Sequence, residues 1–149
     1  MTSAPTHGFT IQHIDHIVLR VASPERAMAF YCNVLGCKVA RRRDDLGLIH
    51  LSAGSSMIDL VVLDGVLGRR GGAGPAKEGR NVDHLCLRVE PFDEAALTQH
   101  LAAYNLPTHG PAAVNFGAEG EGLSLYISDP DGNTVELKGP AQANVRLGQ

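Results

Sequence analysis

Asp15 to Val21 reads DHIVLRV, with Ile17, Leu19 and Val21 on one side and His16 and Arg20 on the other. That alternation predicts a strand with one buried face. The period then changes. Ala27, Phe30, Tyr31, Val34 and Leu35 recur at three- and four-residue spacing, which is the buried stripe of a helix. Ser23 supplies an N-cap, Pro24 the first helical position and Glu25 an acid in the first turn, while Gly36 supplies the stop. Strands follow over 38–43, 46–53 and 57–63, separated by an Asp44-Asp45 turn and a Gly54-Ser55-Ser56 hairpin. Residues 1–12 read as a loose leader.

From 64 to 80 the sequence is rich in glycine and basic residues and has no apolar period, so it reads as a linker or a mobile loop. The pattern then restarts. Asp83 to Val89 is DHLCLRV, identical to the first strand at five of seven positions, with His84 lying 68 residues after His16. The same offset predicts a second helix over 91–104, with a weaker stripe of Leu97, Leu101 and Tyr104. A short strand is expected over 113–116, followed by a flexible GAEGEG connection. The hairpin GLSLYISDPDGNTVELKG comes next: strands over 122–128 and 134–138 about a turn in which Pro130 fixes φ and Gly132 tolerates positive φ. Beyond Pro140 the tail reads as frayed.

Strand, helix and three strands therefore occur twice. The expected fold is α+β: a first βαβββ module over 13–63, a linker over 64–80 and a second module over 81–139, packed as one pseudo-symmetric domain whose half-sheets form a cup. Two copies are too few for a solenoid.

Composition narrows the function classes. A net charge of -3 with interspersed signs argues against a nucleic-acid or anionic-membrane surface. No apolar run approaches membrane-spanning length, and the N-terminus lacks the pattern of a secretory signal. Cys32, Cys37 and Cys86 are odd in number and form no Cys-x-x-Cys pair, so free thiols and a reducing, cytoplasmic setting are expected. Cys37 and Cys86 read as small core residues, with Cys86 on the His84 side.

The candidate chemistry lies on the polar faces of the strands. His16 and His84 are repeat-equivalent, and Glu136 occupies the matching face of the last strand. A carboxylate there is costly unless paired or ligating. Two imidazoles and a carboxylate suit Zn, Ni, Fe(II) or Mn. Asp59 in MIDLVV matches Glu136 in TVELKG. It reads either as a fourth ligand or catalytic acid, or as a polar pocket wall. Asp15 and Asp83 read as caps of the strand starts, and Arg41–Arg43 as a solvated strand end. His7, His13, His100 and His109 read as surface or packing residues, with His50 a strand position that could line a pocket.

The paired modules, the two strand-one histidines, the helix ending FYCNVLGCKV and the DPDGNTVEL hairpin together resemble the vicinal-oxygen-chelate superfamily of glyoxalases, bleomycin resistance proteins, fosfomycin-type thiol transferases and extradiol dioxygenases. The resemblance implies metal ligands at His16, His84 and Glu136, and places Asp59 where glyoxalase-type members have a glutamate. It implies a divalent cation that chelates vicinal oxygens of a small-molecule substrate, such as a thiol adduct, with Glu136 and Asp59 moving the proton. It also implies a homodimer. An extradiol-type dioxygenase, a thiol transferase and a non-enzymatic ligand- or drug-binding module are the alternatives.

Overall fold

The computed structural model describes residues 7–142. The leader is described only over 7–12, where no regular element forms. The expected frayed tail lies largely outside the described residues.

Strand β1 spans His16–Val21. Helix α1 spans Pro24–Met28, with the Ser23 hydroxyl accepting from the Arg26 amide. The chain then widens into a π-helical stretch, Ala29–Val34, in which the Leu35 amide donates to the Phe30 carbonyl. The wide turn keeps Phe30, Tyr31 and Val34 buried together, and Gly36 (φ 83°) ends the helix in the left-handed region. Strands β2 (Lys38–Arg43), β3 (Leu48–Ala53) and β4 (Ser56–Val62) complete the first module. The second module comprises β5 (His84–Arg88), α2 (Glu94–Ala102), β6 (Ala113–Gly117), β7 (Gly120–Ser128) and β8 (Thr134–Lys138).

Each module folds into a four-stranded mixed sheet, ordered β1-β4-β3-β2 and β5-β8-β7-β6. The parallel pairs β1/β4 and β5/β8 are equivalent between the copies. Among the described residues β1 and β2 are the edge strands of the first sheet and β5 and β6 those of the second, and no strand pairs one half-sheet with the other.

The apolar faces and both helices share one core. Leu19, Phe30, Tyr31 and Leu60 of the first module pack in the same cluster as Leu85, Leu101, Val135 and Leu137 of the second. Polar contacts reinforce the junction. The Tyr31 hydroxyl donates to Asp129 at 2.6 Å, the Ala22 amide donates to Asp131 at 2.9 Å, and His100 Nε2 meets the Val34 carbonyl at 2.7 Å. Asp129 also accepts from the amides of Asp131 and Asn133 and from the Asn133 side chain. The turn recognised by its Pro and Gly is thus a hub between modules.

Three expectations change. Helix α2 is shorter than 91–104, because Asp93 caps it by accepting from the Ala96 amide; of its stripe only Leu101 is fully buried, and Tyr104 is exposed. GAEGEG is not a flexible connection: strand pairing runs to Gly117 and Gly120, and Glu119 of the turn is held by Arg88. The linker is anchored over 68–73. It forms a 3-10 turn, Gly68–Gly71, and Arg20 donates to the carbonyls of Gly68, Gly72 and Ala73. Among the described residues no helix is long and apolar enough to cross a membrane.

Candidate metal centre

Cross-strand neighbours project to the same side of a sheet, so the registers define each polar face. On the first sheet His16 pairs with Met57, Val18 with Asp59, and Asp59 with His50. His16, Asp59 and His50 therefore share the face opposite the core. On the second sheet Cys86 pairs with Glu136 and Glu136 with Tyr126, so His84, Cys86, Glu136 and Tyr126 share the corresponding face.

Each histidine is oriented by the aspartate before it. His16 Nδ1 lies 2.7 Å from Asp15, and His84 Nδ1 lies 2.7 Å from Asp83. Such a contact fixes the ring and leaves Nε2, with its lone pair, as the outward ligating atom. Both pKa values are raised. For His16 the main cause is the Asp15 hydrogen bond, with the Asp59 charge adding to it; for His84 it is the Asp83 hydrogen bond, with Glu136 adding.

The carboxylates are deeply placed, Glu136 being 5% exposed and Asp59 6%. Glu136 Oε2 lies 3.1 Å from His84 Nε2. Asp59 Oδ1 lies 3.0 Å from His50 Nδ1, but the approach is not aligned as a hydrogen bond, so this oxygen has no hydrogen-bond partner among the described residues. The Tyr126 ring stands edge-on to His84, with centroids 5.6 Å apart, and burial together with Glu136 raises its hydroxyl pKa. Partial burial of the sulfur, reinforced by Glu136, pushes the Cys86 thiol up to about 12, so it stays protonated at neutral pH.

Within one chain the four expected ligands, His16, Asp59, His84 and Glu136, fall two and two. His16 and Asp59 lie on the first sheet, His84 and Glu136 on the second. Among the described residues of one chain no group of three or more His, Cys, Asp or Glu side chains could hold a metal ion. The donor types nevertheless fit an intermediate divalent cation, and the orphaned Asp59 oxygen is the kind of buried atom that a cation satisfies.

A cavity of about 780 Å³ lies apart from the polar faces of the sheets. Its walls include His16, Ile17, Leu85, Cys86 and Arg88, from the edge strands β1 and β5, but not Asp59, His84 or Glu136.

Several contacts on these faces go beyond what local sequence pattern encodes. Asp15 and Asp83 orient the histidines instead of merely capping strands, and the repeated Asp-His dipeptide was the available signal. Tyr126 and the His50–Asp59 pair become visible only through register. Cys86 lies exposed on the polar face, whereas Cys37 is in the core as expected. The Arg41–Arg43 run is a solvated strand end, with Arg42 paired to Asp44 and Arg43 to Asp45.

A family model described as Glyoxalase/Bleomycin resistance protein/Dioxygenase superfamily matches residues 13–137. The chain belongs to this superfamily. It is 30% identical over 129 residues to catechol-2,3-dioxygenase of Bacillus subtilis (strain 168), an alignment covering 84% of this chain and 40% of that protein. The chain therefore spans less than half the length of that relative. Among solved structures it resembles the virulence protein STM3117 of Salmonella typhimurium (TM-score 0.72, 23% identity, 89% of this chain and 100% of the other). It also resembles lactoylglutathione lyase of Agrobacterium tumefaciens (TM-score 0.61, 20% identity, 87% and 94%). These two likenesses concern the fold alone. The relative at 30% identity carries a dioxygenase name, and the two structural likenesses agree with the duplicated α+β architecture.

Proposed function

We propose that this protein is a metal-dependent enzyme of the glyoxalase type whose site is completed by a second copy of the chain. One observation carries the reading: two histidine–carboxylate pairs stand at repeat-equivalent positions on two sheets, and in each the histidine strand, β1 or β5, is one of the sheet's two edge strands. An open sheet edge calls for cover, and exposed Ile14 and Val18 add apolar surface at β1. Joining β1 of one protomer to β5 of the other would set His16 and Asp59 beside the partner subunit's His84 and the partner subunit's Glu136. A two-fold operation makes both such sites at once.

A divalent cation held there would bind two neighbouring substrate oxygens and stabilise negative charge as it develops. The chain's own groups do the rest. Asp15 and Asp83 hold the imidazoles in the tautomer that ligates. Glu136 and Asp59 face the substrate from opposite half-sheets and carry the proton from one carbon to the next. The Tyr126 hydroxyl, kept protonated, donates a hydrogen bond beside Glu136. Cys86 stays a thiol and serves as a wall, not a nucleophile.

A second reading, ring cleavage of a catechol with Fe(II), is favoured by His50. That imidazole lies against buried Asp59 on the polar face, where such chemistry needs a base, and the likeness to catechol-2,3-dioxygenase points the same way. A thiol transferase acting on a phosphonate finds less support, because the Arg42 and Arg43 side chains are exposed and engaged by Asp44 and Asp45.

The test is metal content of the purified protein, followed by turnover after loading with Ni, Zn, Mn or Fe(II). The glyoxalase reading expects isomerisation of the methylglyoxal–glutathione adduct with Ni or Zn. The second reading expects catechol cleavage with Fe(II) only. Absence of stoichiometric metal under all four loadings would overturn both.

A further inference from the structure

The segment between the modules does more than connect them. Arg20 lies on β1 on the same face as His16 and Val18, and its register partner is Val61. Its guanidinium donates to the carbonyls of Gly72 at 2.6 Å, Gly68 at 2.9 Å and Ala73 at 3.0 Å. A planar fork that grips three carbonyls is a clasp on a backbone. Glycine lets that backbone come close. A Cβ at Gly71 would lie 2.6 Å from both Cζ and Nε of Arg20, and one at Gly74 would lie 2.7 Å from Leu63 Cδ1. Residues 68–74 therefore lie flat against the ends of β1 and β4.

The cover is local. Val61 is 8% exposed although it lies outside the shared core cluster, whereas Val18, one row nearer His16 on the same face, is 47% exposed. The Val18 row also holds Asp59 and His50. The first polar face is thus closed at the Arg20 row and open at the Asp59 row, about 7 Å away. The clasp can also release. Arg20 Nε is buried with no hydrogen-bond partner among the described residues, and a sealed, unpaired donor weakens the closed state.

We propose that Arg20 is a positioning residue that clasps residues 68–74 as the end wall of the cup, and so limits the substrate on that side to a short group. The proposal rests on the reading of this face as part of the substrate site. The space between the Asp59 row and the wall takes a few carbon atoms. A long alkyl or acyl chain directed that way meets the backbone of the clasped segment and enters only when the clasp opens.

Hydroxamates bind a cation through two neighbouring oxygens, so they probe the wall without turnover. The experiment is calorimetric titration of the full, metal-loaded chain with acetohydroxamate and octanohydroxamate. The short chelator is expected to bind about tenfold more tightly than the long one. Arg20→Met should raise the affinity for octanohydroxamate about tenfold and leave that for acetohydroxamate within about twofold. Gly71→Ala, which pushes the segment off the guanidinium, should do the same and serves if Arg20→Met fails to fold.

A second measurement needs no metal. Carbethoxylation of His50 by diethyl pyrocarbonate, followed by mass spectrometry on metal-free protein, should be about fivefold faster in either variant, with His109 unchanged as the control. If no cation binds, the function proposed above fails and the His50 measurement alone decides the wall. If the parent protein does not prefer the short chelator, if the variants keep the parent's preference, or if His50 reacts no faster in them, the proposal is overturned.

Discussion

His84 Nε2 and Glu136 Oε2 meet at 3.1 Å across the parallel pair β5/β8, while His84 Nδ1 is held at 2.7 Å by Asp83. One imidazole is thus gripped from behind by one carboxylate and aimed at another. The first module repeats the rear grip, with His16 held by Asp15. A ring fixed in this way is ready to ligate, because its tautomer is already chosen.

That arrangement makes the rear aspartates measurable. Asp83→Asn and Asp15→Asn should each weaken metal binding by about 10–100-fold while leaving the fold intact. Competition against a chelator, with circular dichroism as the control for folding, reads both quantities. Unchanged metal affinity in both variants would remove the orienting role.

Proton linkage gives a second prediction. The native pKa of His84 is raised chiefly by Asp83 and further by Glu136. Its contribution to the stability of metal-free protein is therefore full below the ordinary histidine value of about 6.5. That contribution fades as pH rises through the elevated native value. Metal binding needs the neutral imidazole, so it runs the other way and weakens as pH falls through the same window. Thermal melts with and without metal should thus diverge as pH rises from 6 to 8. Parallel melting curves across that range would contradict the linkage.

Tyr31 supplies the third. Its hydroxyl donates at 2.6 Å to Asp129, which is buried at the junction of the two modules. Burial and Asp129 together raise its pKa, so it remains a donor throughout the neutral range. Tyr31→Phe leaves a buried carboxylate oxygen short of a partner and should cost about 1–3 kcal/mol, read as a lower midpoint in urea unfolding. A variant as stable as the parent would show that the turn's own amides suffice.

Much of this fold was legible because each element carried its own local signal. The Ser23-Pro24-Glu25 start, the Gly36 stop and the Asp129–Asn133 turn are short-range chemistry, and they fall where expected. The repeated Asp-His strand exposed the duplication. The π-helical widening at Ala29–Val34 was not legible, since apolar residues at three- and four-residue spacing fit either helix. The end of α2 was overrun because Tyr104 looks apolar, although its hydroxyl reaches the Asn33 carbonyl at the surface. The linker's anchoring depends on Arg20 meeting carbonyls about fifty residues away, which no local pattern encodes. For the site, strand periodicity identified the face of each ligand, but not which half-sheets close on one another. That choice depends on edges, and an edge is a property of the assembled sheet.

The division of the ligands between two sheets is the centre of the account, and mixing two inactive variants tests it most directly. His16→Ala and His84→Ala should each abolish stoichiometric metal binding. If the site spans two chains, a mixed dimer of the two variants contains one site with both histidines intact, and random exchange should restore about a quarter of the wild-type metal content. If the mixture binds no more metal than either variant alone, the ligands do not come from two chains and the account fails.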